Sequence, residues 1–110
     1  MGSKLHVART YKVEYSDTTA FNNKNEELHD LLDALGVEYS GSAYDEDFEV
    51  SRLEWRKGIS MLEKPDDEKK KEIDELLQKL GYDRNEVIRL FKQFDEESEP
   101  ESFYLQFSFF

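Results

Sequence analysis

Residues 102–110 read Ser102-Phe103-Tyr104-Leu105-Gln106-Phe107-Ser108-Phe109-Phe110, five aromatic side chains in nine residues with no glycine, proline or charge. Alternation sets Phe103, Leu105, Phe107 and Phe109 on one face and Tyr104, Gln106, Ser108 and Phe110 on the other. That period of two is the mark of a half-buried strand. An uncharged strand this apolar is an aggregation hazard when bare, so the rest of the chain is expected to pair with it and cover it.

The expected pairing partner lies at the opposite end of the chain. Leu5, Val7, Tyr11, Val13 and Tyr15 share one face of an extended segment, with His6, Ala8, Thr10, Lys12 and Glu14 on the other. This predicts one long first strand. Arg9 breaks its apolar side, which calls for a bulge near Ala8 or an arginine that snorkels to the sheet edge.

Helices supply the cover. Asn23 with Glu26 has capping-box spacing before Leu28, Leu31, Leu32 and Leu35, and Gly36 provides a left-handed stop. Ser51 with Glu54 repeats the box, flanked by Val50 and Trp55 at staple positions, and that helix runs through Gly58, Ile59 and Leu62. As a staple residue Trp55 belongs to the core rather than to a contact surface. Pro65, Asp66 and Asp67 separate it from a helix with Ile73, Leu76, Leu77 and Leu80 buried and Gly81 as its stop. Asp83 with Glu86 opens the last helix, with Val87, Ile88, Leu90, Phe91 and Phe94 inward and Tyr82 as the staple partner of Val87. Between the first two helices, Val37–Tyr39 and Tyr44–Val50 read as an irregular hairpin around Ser40, Gly41 and Ser42.

The fold class is therefore α+β: a small antiparallel sheet pairing the N-terminal and C-terminal strands near its centre, covered by about four helices in the order β-α-β-α-α-α-β. Residues 1–110 form one domain, with 1–3 read as disordered or as a cloning remnant. No segment reads as a signal peptide and no apolar run approaches the ~20 residues of a membrane span. The chain has no cysteine, so thiolate chemistry and disulfides are absent and a cytoplasmic location is the expectation.

The net charge is -11, from 26 acidic and 15 basic residues. Such a field repels phosphate backbones and anionic membranes and favours a basic protein partner. The acids that would meet it are Asp45, Asp47 and Glu49 in one stretch and Glu97, Glu99 and Glu101 in another. A sharper form of this reading is that they imitate the spaced charge of a nucleic acid. From another class, the helix–Gly81–helix turn resembles a helix-turn-helix, with Arg84, Arg89 and Lys92, beside Asn85 and Gln93, available to a duplex. The near balance of charge over residues 65–94 argues against it. A homodimer through the terminal strand, hinted at by Phe110, is a third reading.

Metal and catalytic signals are weak. Glu26-x-x-His29 has the spacing of a bundle metal site, but no second such motif exists. Glu26 is better explained as a cap and His29 as a residue of the exposed helix face. Asp45, Asp47 and Glu49 alternate like calcium-loop ligands, yet Val50 replaces the required glycine and Arg56 the closing glutamate. No phosphate loop, nucleophile elbow or Ser-His-acid pattern is present. The expectation is a non-enzyme with no cofactor and no metal.

Overall fold

A computed structural model of the chain describes residues 4–10, 14–16, 18–41 and 47–109. Strands β1 (Leu5–Thr10) and β2 (Glu14–Tyr15) precede helix α1 (Asn25–Ala34). A hairpin, β3 (Tyr39–Ser40) and β4 (Asp47–Ser51), follows, then α2 (Arg52–Glu63), α3 (Asp67–Leu80) and α4 (Arg84–Glu97), and finally β5 (Tyr104–Phe109). The sheet is antiparallel in the order β2-β1-β5-β4-β3. Terminal strand β5 thus occupies the centre, with β1 on one side and β4 on the other.

Register turns the alternation of β5 into two different faces. One cross-strand row joins Val7, Phe107 and Phe48 and another joins Leu105, Val50 and Tyr39. Apart from Tyr39, which is partly buried, these side chains are buried under the helices. Phe107 stacks on Phe48 at 5.0 Å and lies 4.6 Å from Trp55, whose ring stacks on Phe91 at 4.2 Å. Trp55 is fully buried and its Nε1–H donates to Phe91 O at 2.9 Å, so it is a core residue whose one polar group is satisfied. The intervening rows, His6–Ser108–Asp47 and Gln106–Glu49–Ser40, face away from the core.

Both glycine stops hold. Gly36 and Gly81 lie at φ +73° and +82°, with Val37 N–H donating to Leu32 O and Tyr82 N–H to Leu77 O, the six-residue closure of a Schellman motif. Asp83 and Glu86 form the full reciprocal box. Gly58 is buried against Val37: a Cβ there would stand 2.7 Å from Cγ2 of Val37, so the glycine permits the close approach of α2 to the segment after α1.

Five expectations are corrected. The first strand is not one long strand: β1 turns back into β2, pairing Ala8 with Tyr15 and Thr10 with Glu14, and the register slips between Ala8 and Thr10. The expected bulge near Ala8 is therefore real, but it belongs to a hairpin whose residues 11–13 lie outside the described residues. Asn23 does not cap α1; it takes φ +56° in the preceding turn, and the helix starts at Asn25 after Lys24. At Ser51 only half of the box forms. Its hydroxyl accepts the Glu54 N–H, whereas the Glu54 carboxylate accepts the N–H of Glu38 at 3.0 Å. Phe103 precedes β5, so the strand's alternation does not extend to it, and it is 83% exposed. His29 is buried rather than exposed, since the hairpin covers that flank of α1: its Nδ1–H donates to Asn25 O, and Tyr39 and Phe48 close on the ring at 4.8 and 4.7 Å.

Candidate functional site

The buried row of β5 faces the helices, and among the described residues no helix packs on the opposite, more polar face of the sheet. On that face Glu49 stands opposite Gln106 and Ser40, and Asp47 opposite Ser108, whose hydroxyl donates to the Asp47 carboxylate. A shallow groove of about 520 Å³ follows the end of β4, lined by Glu38, Ser40, Glu49, Ser51, Glu54 and Tyr104. A smaller depression of about 210 Å³ continues it toward Asp47 and Gln106.

The electrostatics of the groove are one-sided. Glu54 is engaged by the Glu38 N–H and by Lys57 Nζ at 3.6 Å, and the same ammonium donates to Gly36 O at 3.1 Å. Among the described residues, the carboxylates of Glu38 and Glu49 have no cationic partner. Tyr39, at the edge of the groove, turns its phenol toward α1. Burial foremost, then the hydrogen bond its hydroxyl donates to Asp33 Oδ1 and the charges of Asp33 and Asp30, push the phenol up to about 12.

Arg52 fixes the adjoining corner. It forms an ion pair with Asp95 that is about five-sixths shielded from solvent. Its fork also donates to the carbonyls of Asp95, Glu99 and Ser102 at 2.7–3.3 Å, and its N–H donates to Phe103 O at 2.7 Å. Arg56 Nε meets the other Asp95 oxygen at 3.0 Å. One guanidinium thus satisfies the carbonyls at the end of α4 and ties the 95–102 segment to the start of α2. Nothing in the periodicity of the sequence marks this role; an arginine directly after a cap serine was its only signal.

The two acidic stretches are not brought together. Asp45 lies outside the described residues. Asp47 and Glu49 sit on β4, opposite Ser108 and Gln106 of β5, whereas Glu97 ends α4 and Glu99 and Glu101 lie in the segment between α4 and β5. Glu97 is half-buried and accepts the Thr18 N–H at 3.3 Å, Glu99 donates its N–H to Ala8 O, and Glu101 is exposed. The acids that do join Glu49 are Glu38, which no pattern singles out, and Glu54, which the cap pattern marks only as a box residue and whose carboxylate turns to the Glu38 N–H instead.

The basic residues of the last helix are spread. Arg84 is half-buried, Arg89 is exposed, and Lys92 pairs with Glu63 of α2 at 3.2 Å. Asn85, Arg89, Lys92 and Gln93 share a shallow depression with Glu96. Moreover, α3 packs on α1 and α4 on α2, a different arrangement from two helices packed about their shared turn.

Glu26 is exposed while His29 is buried, so the Glu-x-x-His pair does not converge. Among the described residues no group of three His, Asp or Glu side chains is placed to hold a metal ion, and no helix is long and apolar enough to cross a membrane. What the polar sheet face offers chemically is acceptance: the carboxylates of Glu38 and Glu49, hydroxyls and the Tyr104 phenol, with Lys57 paired only to Glu54 among the described residues. The chain matches no protein-family model, no curated protein and no solved structure.

Proposed function

We propose that this chain is a non-catalytic docking module that holds a basic protein partner on the uncovered face of its sheet, in an intracellular, cytoplasmic setting. The observation that carries the reading is the groove beside β4, where Glu38 and Glu49 stand without a cation among the described residues and Glu54 adds a third carboxylate. Leaving like charges together is unfavourable until a cation arrives, so a basic surface gains both attraction and relief of repulsion. The net charge of -11 steers such a partner toward the module. The lack of cysteine is in keeping with a reducing compartment. Nucleic-acid mimicry, the sharper form, draws no support from the placement of its acids, because Asp47 and Glu49 lie on β4 while Glu97 is half-buried at the end of α4, accepting the Thr18 N–H.

The test is capture from lysate on the immobilised protein, in parallel with a Glu38→Lys/Glu49→Lys variant whose fold is checked by circular dichroism. A basic protein retained at low salt, released at high salt and lost with the charge-reversed variant is the expected result. Retention indifferent to both salt and charge reversal refutes the reading.

A further inference from the structure

We propose that the corner where β5 meets α2 recognises an arginine next to an apolar residue in the partner chain, a refinement that rests on the docking reading above. Among the described residues, three large apolar or aromatic side chains stand out in water: Leu53 at 80%, Phe103 at 83% and Tyr104 at 53% exposure. They share one corner. The Arg52 N–H donates to Phe103 O, so Phe103 meets the backbone of α2 one residue before Leu53, and Tyr104 pairs with Ser51. Tyr104 lines the acidic groove, while Phe103, the residue before β5, stands in solvent beside the start of α2. An apolar surface and a carboxylate groove therefore meet at the Phe103–Tyr104 peptide.

Apolar side chains gathered at one exposed point mark an interaction site more often than isolated ones do. Here nothing in the fold requires them, since none of the three contributes to the core. The backbone beneath them is held rigid by the Arg52 fork, so little order has to be created on binding.

Charge complementarity fixes the occupant as cationic, and the phenol narrows it further. A guanidinium is planar, weakly hydrated and able to engage a carboxylate through two parallel N–H donors while stacking on an aromatic ring. With Tyr104 as the wall and Glu49 and Glu38 as acceptors, such a group finds both features in one groove; an ammonium uses only the charge. A residue adjacent to that arginine projects to the other side of an extended segment, over Phe103 and Leu53, which favours an aliphatic or aromatic side chain there.

Fluorescence anisotropy with labelled peptides tests this at one fixed ionic strength. The probe carries three Arg-Leu pairs separated by Gly-Ser; matched controls carry Lys-Leu or Arg-Ser pairs. The Arg-Leu peptide is expected to bind about tenfold tighter than either control. Tyr104→Ala, and separately Leu53→Ser/Phe103→Ser, should remove that preference while leaving the denaturation midpoint near that of the parent, because these side chains are exposed. Equal binding of the three peptides, still lost in high salt, overturns the arginine-apolar specificity and leaves the docking reading standing. A preference that survives the corner variants overturns the location. Failure of every peptide to bind overturns the inference outright, and the lysate capture then decides the docking reading separately.

Discussion

Replacing Gly58 by alanine adds one methyl group on the buried flank of α2, where its carbon would lie 2.7 Å from Cγ2 of Val37 and 3.8 Å from Cδ1 of Leu35. On an exposed helix face the change stabilises by about 1 kcal/mol. Carbon atoms prefer ~3.5–4.0 Å, so the contact is far inside the repulsive wall. Val37 cannot easily yield, being β-branched and 4% exposed. Overpacking of this kind costs ~1–3 kcal/mol, which outweighs the propensity gain and gives a net loss of about 1 kcal/mol. Val37→Ala alone loses two buried methyl equivalents, about 1.5 kcal/mol plus a cavity term. The double variant places the new methyl in the space vacated by Val37. It should therefore be more stable than the sum of the single effects by ~1 kcal/mol. Urea denaturation of the four proteins, read at constant slope, measures all three quantities. A Gly58→Ala protein more stable than the parent by about 1 kcal/mol, with strictly additive behaviour in the double variant, refutes the close-approach reasoning.

Arg52→Ala should cost about 2–4 kcal/mol, because it strips several carbonyls of their donor and leaves Asp95 with only Arg56; Arg52→Lys should restore little, since the fork is lost. A denaturation midpoint within error of the parent for Arg52→Ala speaks against the latch. The single tryptophan is fully buried, so its fluorescence should be blue-shifted and protected from iodide until unfolding; a quenchable, red-shifted native emission removes Trp55 from the core. Tyr39 should be a late phenol in a UV-monitored alkaline titration. Its folded value of about 12 exceeds the ordinary tyrosine value of 10.0. The contribution is therefore complete below pH 10 and lost as pH rises from 10 to about 12. Asp33→Asn should lower that value without returning it to 10.0, because burial is the larger cause; a complete return makes Asp33 the dominant one.

Local signals carried most of the fold. Gly36, Gly81 and the Asp83–Glu86 box each act within one turn of backbone, and the alternation of β5 needed only a partner on either side. What stayed hidden depended on distant neighbours. Alternation across Leu5–Tyr15 survives a chain reversal, since a hairpin preserves period two; only Arg9 betrayed the slip. The burial of His29 follows from two neighbours of α1, with α3 on one flank and the β3–β4 hairpin on the other, a wider apolar arc than one leucine stripe announces. Asn23 and Glu26 had the correct spacing for a box, yet the φ of +56° at Asn23 excludes the extended cap geometry. For the candidate site, Asp47 and Glu49 were legible as an outward acidic pair. Glu38, Glu54 and Tyr104 were not, because strand register and a diverted cap carboxylate bring them there.

The central position of β5 shapes how the molecule can come into being. Strands β1 and β4 do not touch each other; each keeps a bare edge until residues 104–109 slide between them. During synthesis the capped helices can form within microseconds of emerging, while the sheet waits for the most non-local contacts in the chain. The interval leaves two unpaired edges open to other chains, so nascent copies arrested before residue 104 should be clients for chaperones and proteases rather than partly working modules.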